Sequence, residues 1–215
     1  LLSMLKQLRN IGGLPFDKGW LQSVFPNNLH LTDKVRQLVD TGQIIRLKRG
    51  MYVLSEELTQ QPINRFLVAN HLYGPSYVSQ QTALRYYGLI PEAVYSIQSV
   101  TTKAARSFDT PIGMFFYTPA QLRWFPIGIQ MHTESNFSYL IATPEKALMD
   151  VVQFTAGVSM RYAKEVGEWL EEDLRFDMDQ LGEINMDIIK QLAPLSHKQR
   201  TIETIIRFIE NERRV

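Results

Sequence analysis

Residues 29–54, LHLTDKVRQLVDTGQIIRLKRGMYVL, decide the fold of the N-terminal part of this chain. Their first half predicts an amphipathic helix, because four apolar residues recur on one helical face: Leu31, Val35, Leu38 and Val39. Gly42 stands where a helix favours a residue with a left-handed backbone at its C-terminus. Two short strands follow, QIIRLK and MYVLS, joined by a tight turn at Arg49-Gly50. A helix, a glycine stop and a basic hairpin, in this order, are the ending of a winged helix-turn-helix.

The hairpin has one predicted buried side and one predicted basic side. QIIRLK alternates, so we expect Ile45 and Leu47 to face the core and Arg46 and Lys48 to face away from it. Together with Arg49, these cations place positive charge at or near the hairpin tip. Such a tip fits the DNA minor groove or the phosphates beside it.

The residues before the third helix predict two more helices. An apolar face in LLSMLKQLRNI ends at Gly12-Gly13, and Asp17 is a suitable N-cap for a helix over DKGWLQSVF. The turn Pro26-Asn27-Asn28 follows, with Asn28 as the expected N-cap of the third helix. Three helices and a hairpin form a consistent winged-helix module.

If the apolar stripe faces the core, the third helix turns a polar face outward. The residues expected to reach base edges in the major groove are His30, Asp33, Arg36 and Gln37. Arg36 suits guanine and Gln37 suits adenine, while Asp33 can accept from cytosine or pair with Arg36 or Gln37. The residues expected at phosphates are Asn27, Asn28, Thr32 and Lys34, with Arg46, Lys48 and Arg49 on the hairpin. A solvated basic face that contacts only protein is the alternative.

Charge is distributed unevenly along the 215 residues. Residues 1–55 carry eight lysines and arginines against three aspartates, a net +5, so the remainder carries −4 because the whole chain is +1. This split predicts that only the N-terminal module faces phosphate. The chain has no cysteine, which excludes disulfides, thiolate catalysis and cysteine-ligated metal centres.

The sequence predicts neither a membrane span nor an export signal. No apolar run approaches the roughly 20 residues that span a bilayer, and the amphipathic start LLSMLKQLRN has no cleavage site. We therefore expect a cytoplasmic protein. We also expect a trimmed chain, since it begins with Leu1 rather than Met.

The polar segment EELTQQP at 56–62 predicts a boundary between a winged helix at 1–58 and a second domain at 63–215. In the second domain, INRFLVANHLY, QQTALRYYG and TPEKALMDVVQFT predict helices, the last with Thr143 as N-cap, and further helices fill 160–215. Strands are predicted at SYVS, YSIQSVTT, GMFFYT, IGIQMH and FSYLIAT. The predicted fold class is α+β: a winged helix-turn-helix, then an α+β domain with a mostly antiparallel or mixed sheet flanked by helices.

Two segments of the second domain resemble a known family. SYVSQQTALRYYGLIPEAVYSIQSVTT and the later YLIATPEKALMD are similar to the AbiEi family of bacterial antitoxins, whose N-terminal winged helix ends in strands similar to RLKRGMYVL here. The resemblance covers nearly the whole chain and is densest at 29–54, 76–102 and 139–150. It implies a type IV antitoxin that represses its own operon by binding inverted repeats in the promoter. It also implies that the chain counters a nucleotidyltransferase-like toxin encoded next door without forming a stable complex with it.

The resemblance further implies a functional surface in the second domain, formed by Ser79, Gln80, Arg85, Lys103, Glu145, Lys146 and Asp150. The same segments have a second interpretation as helix ends and packing. Gly88 ends a helix and Thr143 begins one, while Lys146 and Asp150 lie four residues apart and can pair on the helix surface.

No catalytic or metal site is predicted, and we expect neither enzyme activity nor a cofactor. The four histidines lack metal-ligand spacing, and Asp177 and Asp179 are best explained as part of an acidic helical face. Two rival functions stay open: a stand-alone regulator whose second domain senses a small ligand, and an enzyme such as a nuclease delivered by a DNA-binding arm. We expect a monomer or a dimer, with two copies on repeated half-sites in double-stranded DNA.

Overall fold

The N-terminal part of the chain combines three helices with a small sheet. A computed structural model describes residues 2–26, 30–92, 95–134 and 137–213. The small sheet is antiparallel, with strand order β1-β3-β2. The elements of this part are α1 (Leu2–Arg9), β1 (Phe16–Asp17), α2 (Lys18–Val24), α3 (Leu31–Asp40), β2 (Ile44–Lys48) and β3 (Met51–Leu54).

The rest of the chain is built on a six-stranded mixed sheet, in the order β6-β7-β5-β4-β9-β8. The pairs β5–β7 and β4–β9 are parallel and the other pairs are antiparallel. The strands are β4 (Ser76–Val78), β5 (Ile97–Thr101), β6 (Arg106–Thr110), β7 (Gly113–Pro119), β8 (Ile129–Glu134) and β9 (Phe137–Ala142). The prediction of an α+β chain with a mixed sheet is confirmed.

Helices precede, interrupt and follow the large sheet. They are α4 (Glu56–Thr59), α5 (Arg65–Leu72), α6 (Gln80–Tyr86), α7 (Pro144–Phe154), α8 (Ala163–Glu168), α9 (Met186–Leu192) and α10 (Gln199–Glu212), with a π-helical turn at Trp169–Asp173 and 3-10 turns at Met178–Glu183 and Ala193–Leu195. No helix in the described part of the chain has both the length and the apolar content needed to cross a bilayer.

Local sequence signals account for the ends of several helices. Gly42 has a φ of 70° just after α3, and the adjacent Gln43 N–H donates to the carbonyl of Leu38 at 2.9 Å, as expected of a left-handed C-cap. The Asp17 carboxylate caps α2 by accepting from the Trp20 N–H at 2.7 Å. Thr143 is the N-cap of α7, as predicted.

Other elements differ from the prediction. Strands β1 and β6 were not predicted, since each contains a single large apolar residue, Phe16 or Phe108. Strand β8 begins two residues later than expected. Helix α4 occupies part of the segment predicted to be a linker. Asp177 accepts from the Asp179 N–H at 3.2 Å and caps a 3-10 turn, so these acids do not form the predicted helical face.

The hairpin β2–β3 is buried on both of its faces. Ile44 and Leu54 belong to an apolar cluster with α1, α2 and α3, whereas Leu47 and Val53 belong to the larger cluster built on the six-stranded sheet. Successive residues of a strand point to opposite sides, so one hairpin packs in two cores. The two parts of the chain therefore meet at the hairpin.

A β-bulge in β2 reverses the direction of Lys48. The strands pair Arg46 with Tyr52 and Lys48 with Met51, which leaves Leu47 as the extra residue. The predicted placement of Arg46 and Lys48 on one side is wrong, because a one-residue insertion moves the following side chain to the other face. Lys48 shares the side of Met51, which packs on the larger core, and Arg46 shares the side of Tyr52.

Three tyrosine hydroxyls link the large sheet to its helices. Tyr77 donates to Asp150 at 3.0 Å, Tyr87 to the Ala142 carbonyl at 2.9 Å and Tyr117 to the Ala69 carbonyl at 2.7 Å. Burial is the largest cause that raises the pKa of all three phenols, that of Tyr87 to about 12. These groups stay protonated in the folded chain at a pH where they ionise in the unfolded one.

The free energy of unfolding should therefore fall between pH 10 and about 12. In this window the unfolded chain releases protons from Tyr77, Tyr87 and Tyr117 that the folded chain retains, so rising pH favours unfolding. Urea unfolding across the pH range measures the effect. Tyr117→Phe should reduce the slope, whereas Tyr95→Phe, at a side chain 85% exposed, should leave it unchanged. A free energy of unfolding that does not change between pH 10 and about 12 would contradict the raised pKa values of these tyrosines.

Candidate nucleic-acid interface

Helix α3 presents a polar face next to the hairpin. Its buried residues are Leu31, Val35 and Leu38, with Val39 half-buried, as the apolar stripe predicts. The exposed residues are Thr32, Asp33, Arg36, Gln37 and Asp40. The helix begins after His30, later than predicted, while Asn27 and Asn28 lie outside the described residues.

Asp33 contacts His30 and not the predicted partners Arg36 or Gln37. Its carboxylate lies 3.9 Å from His30 Nδ1, and the two side chains are 77% and 79% exposed. Such an exposed pair contributes little to stability. Arg36 has no ion-pair partner in the described ranges, so its guanidinium is available to an external acceptor.

The hairpin adds two exposed cations to this face or close to it. Arg46 and Arg49 are exposed, and Arg46 Nε donates to the Lys48 carbonyl at 3.4 Å. Lys34 of α3 is half-buried. Arg36, Arg46 and Arg49 are therefore the arginines of the predicted set that the fold leaves accessible.

Lys48 contacts the second part of the chain instead of facing solvent at the hairpin tip. Its ammonium donates to the carbonyl of Leu72 at 2.5 Å and lies 5.6 Å from the centroid of the Phe108 ring. Leu72 ends α5, where a helix favours a cation. Burial first, and then the charges of Arg106 and Lys103, lower the pKa of Lys48. This bond holds the hairpin against the six-stranded sheet.

The sequence did not predict Arg106, Lys18 or Tyr52 of this region, whereas Lys103 was predicted for a surface of the second domain. Arg106 lies 5.6 Å and 5.1 Å from the ring centroids of Tyr73 and Phe108, and Lys103 lies 5.2 Å from that of Tyr73. The available signal for Arg106 was the pair of cations in KAAR at 103–106. Lys18 and Tyr52, which lie beside α3, carried no signal that separated them from ordinary surface and core residues.

Four of the seven residues predicted for a surface in the second domain are buried. Ser79, Lys146 and Asp150 have no exposed area and Glu145 is 6% exposed, so the predicted surface pairing of Lys146 with Asp150 is wrong. Glu145 accepts from the Asn185 N–H at 2.8 Å and so ties α7 to the start of α9. The other members of the predicted set differ: Gln80 is half-buried, and Arg85 and Lys103 are exposed.

Asp150 is the centre of a buried polar cluster. Its carboxylate accepts from the Ser79 hydroxyl and the Trp124 indole N–H, both at 2.6 Å, and from the Tyr77 hydroxyl at 3.0 Å. The Lys146 ammonium lies 3.3 Å from this carboxylate and donates to the Trp124 carbonyl at 2.8 Å. The polar groups of the cluster satisfy one another, as buried polar groups must.

The cluster joins separate segments of the fold by hydrogen bonds and an ion pair. Burial raises the pKa of Asp150 and lowers the pKa of Lys146 to about 8, while their mutual attraction and the hydrogen bonds to Asp150 oppose both shifts. Both side chains are enclosed, so the pair joins β4, α7 and the segment at Trp124 without offering a group to a ligand. Among the described residues, no three metal-ligating side chains lie close enough together to hold an ion.

No protein-family model and no curated protein matches the chain.

Removing the charge of Asp150 should strongly destabilise the fold. Asp150→Ala leaves a buried ammonium and three unpaired donors, which costs about 3–5 kcal/mol. The double variant Asp150→Leu with Lys146→Met should lose less than Asp150→Ala alone, since it removes both charges. Urea unfolding measures each difference.

The chain offers a matched control in Lys164 and Glu168, which have the same four-residue spacing at 3.4 Å on an exposed surface. Glu168→Ala should change the free energy of unfolding by less than about 1 kcal/mol. Equal effects of Glu168→Ala and Asp150→Ala would show that burial does not decide the strength of this pair.

Proposed function

We propose that residues 1–58 form a winged helix-turn-helix that binds double-stranded DNA. The observation that carries the proposal is the exposed polar face of α3, with Arg36 and Gln37, beside a hairpin that exposes Arg46 and Arg49. A helix with such a face fits the major groove, and a basic hairpin fits the neighbouring backbone or minor groove. The net +5 of residues 1–55 adds electrostatic attraction to phosphate.

Each group has a distinct role in this proposal. Arg36 donates to a guanine edge and Gln37 pairs with an adenine edge. Arg46 and Arg49 bind phosphates, with Thr32 and Lys34 as further phosphate contacts. His30 and Asp33 stand at the first turn of α3 and adjust which bases are accepted. Lys48 has a different role, because its ammonium is already bound to Leu72.

We further propose that the chain represses its own operon and acts in the cytoplasm as the antitoxin of a type IV toxin–antitoxin system. The support is the resemblance carried by 76–102 and 139–150. These two segments meet in space, since Val78 pairs with Ile141 and Ser79 donates to Asp150. In this proposal, the resemblance of the two segments to the family reflects the architecture of the second domain. The antitoxic surface lies elsewhere on that domain, and its exposed candidates are Arg85 and Lys103.

Binding of the full chain to the promoter DNA of its own gene tests the first proposal. The full chain is used because the hairpin also packs in the larger core. Arg36→Ala should weaken binding by about 1–3 kcal/mol and relax the base preference at one position. Arg46→Gln should weaken binding evenly across sequences and reduce the slope of log affinity against log salt by about 1.

Two variants serve as controls in this titration. Lys48→Met should weaken DNA binding less than Arg46→Gln, and Lys164→Gln, an exposed change on α8, should leave it unaltered. Affinity that does not depend on salt, or no DNA binding at all, would assign the basic face to protein contact instead.

Co-expression with the nucleotidyltransferase-like protein encoded beside its gene tests the antitoxin role. Arg36→Ala should lose repression of a reporter and keep the rescue of growth, because the two activities lie in different domains. Arg85→Ala should reduce rescue and leave repression intact. If no such neighbour exists, or if the wild-type chain does not restore growth, the stand-alone regulator becomes the better interpretation.

A further inference from the structure

A cavity of about 300 Å³ lies between α2, α3 and the hairpin. This volume is at the small end of the range for ligand pockets, about 300–1,000 Å³, and fits a ligand with a single ring. The apolar part of its wall comes from three elements: Leu21 of α2, Leu31, Val35 and Val39 of α3, and Tyr52 of β3. Tyr52 is the aromatic residue of this wall.

The polar residues that line the cavity carry an excess of positive charge. Lys18, Arg36 and Arg46 line it together with one acid, Asp40, and with Thr32. None of these four charged residues forms an ion pair with another residue of the described chain. Three cations against one anion favour a negatively charged ligand, which can accept from arginine and lysine donors.

We propose that this cavity binds a small aromatic monocarboxylate. The ring of the ligand packs among Leu21, Val35 and Tyr52, and its carboxylate accepts from Arg46, Lys18 or Arg36. An apolar pocket with a few convergent polar groups is the usual form of a small-molecule site. The apolar walls favour the ring over a compact inorganic anion, which would lose hydration without gaining contacts.

The ligand would also regulate DNA binding, an inference that rests on the proposed function. Arg36 and Arg46 belong both to the cavity and to the proposed DNA contacts. A bound carboxylate occupies their donors and cancels charge at the face that meets phosphate. The acid and DNA therefore compete, and by linkage each weakens the other's affinity by the same factor.

Heteronuclear NMR of the full chain without DNA tests the site, with phenylacetate as the probe. Phenylacetate should shift the amide signals of α2, α3 and the hairpin in a saturable manner. Phenylacetamide, of the same shape without the charge, should bind at least about fivefold more weakly, because it lacks the charged hydrogen bonds. No saturable shift in these elements, or equal binding of the acid and the amide, would overturn the proposal.

Two variants locate the carboxylate. Arg46→Gln changes an exposed side chain, so the fold is kept, and it should weaken phenylacetate binding by about tenfold. Arg9→Gln removes one exposed charge from the same part of the chain, away from the cavity, and should leave binding unchanged. Equal losses in both variants would indicate attraction by overall charge and contradict a site.

A DNA titration separates this proposal from the proposed function. Phenylacetate should raise the DNA dissociation constant of the wild-type chain, and raise that of Arg46→Gln much less. Binding of phenylacetate without any binding of DNA would remove the proposed function and keep the site. Binding of DNA without any saturable binding of phenylacetate would remove the site and keep the proposed function.

Discussion

The hairpin β2–β3 is the constraint on which the rest of the chain depends, because its two faces are buried in two different cores. Ile44 and Leu54 complete the core of the helical N-terminal part, and Leu47 and Val53 enter the core of the six-stranded sheet. The Lys48 ammonium adds a bond to the end of α5. A basic hairpin attached in this way has its position set by the second part of the chain. The face formed by α3 and the hairpin is therefore packed against the part of the chain that carries the large sheet.

Asp150 holds together the part of the chain that contains the six-stranded sheet. Its four polar partners come from β4, the N-cap of α6, α7 and the segment at Trp124, and Ser79 is 71 residues away in the sequence. The segments at 76–102 and 139–150 meet at this cluster, since Ser79 donates to Asp150. Ser79, Glu145, Lys146 and Asp150 of these segments are buried, which agrees with their interpretation as packing residues. A functional surface on this domain has to be sought among exposed residues such as Arg85.

Local signals predicted much of the fold. The apolar stripe of α3, the left-handed Gly42, the Asp17 and Thr143 caps and the alternating strands β5, β7 and β9 depend on residues within a few positions of one another. Strand β6 could not be predicted in this way, since RSFDT has only Phe108 to mark a buried side. It forms because Phe108 pairs across the sheet with Phe115 and packs on Tyr73. The cavity between α2, α3 and the hairpin could not be predicted either, because residues from separate elements form its walls.

The sequence by itself determined the helix with its polar face, the basic hairpin and the concentration of positive charge in the first 55 residues. These features follow from periodicity, capping and composition, which act over short distances along the chain. Only the tertiary structure decided that Lys48 turns away from Arg46 and that Lys146 and Asp150 are enclosed. A bulge shifts the register of one strand against another, and burial depends on segments far apart in sequence. Tertiary packing therefore determines which way a charged side chain points and how exposed it is. The amino-acid sequence determines only that the charge is present.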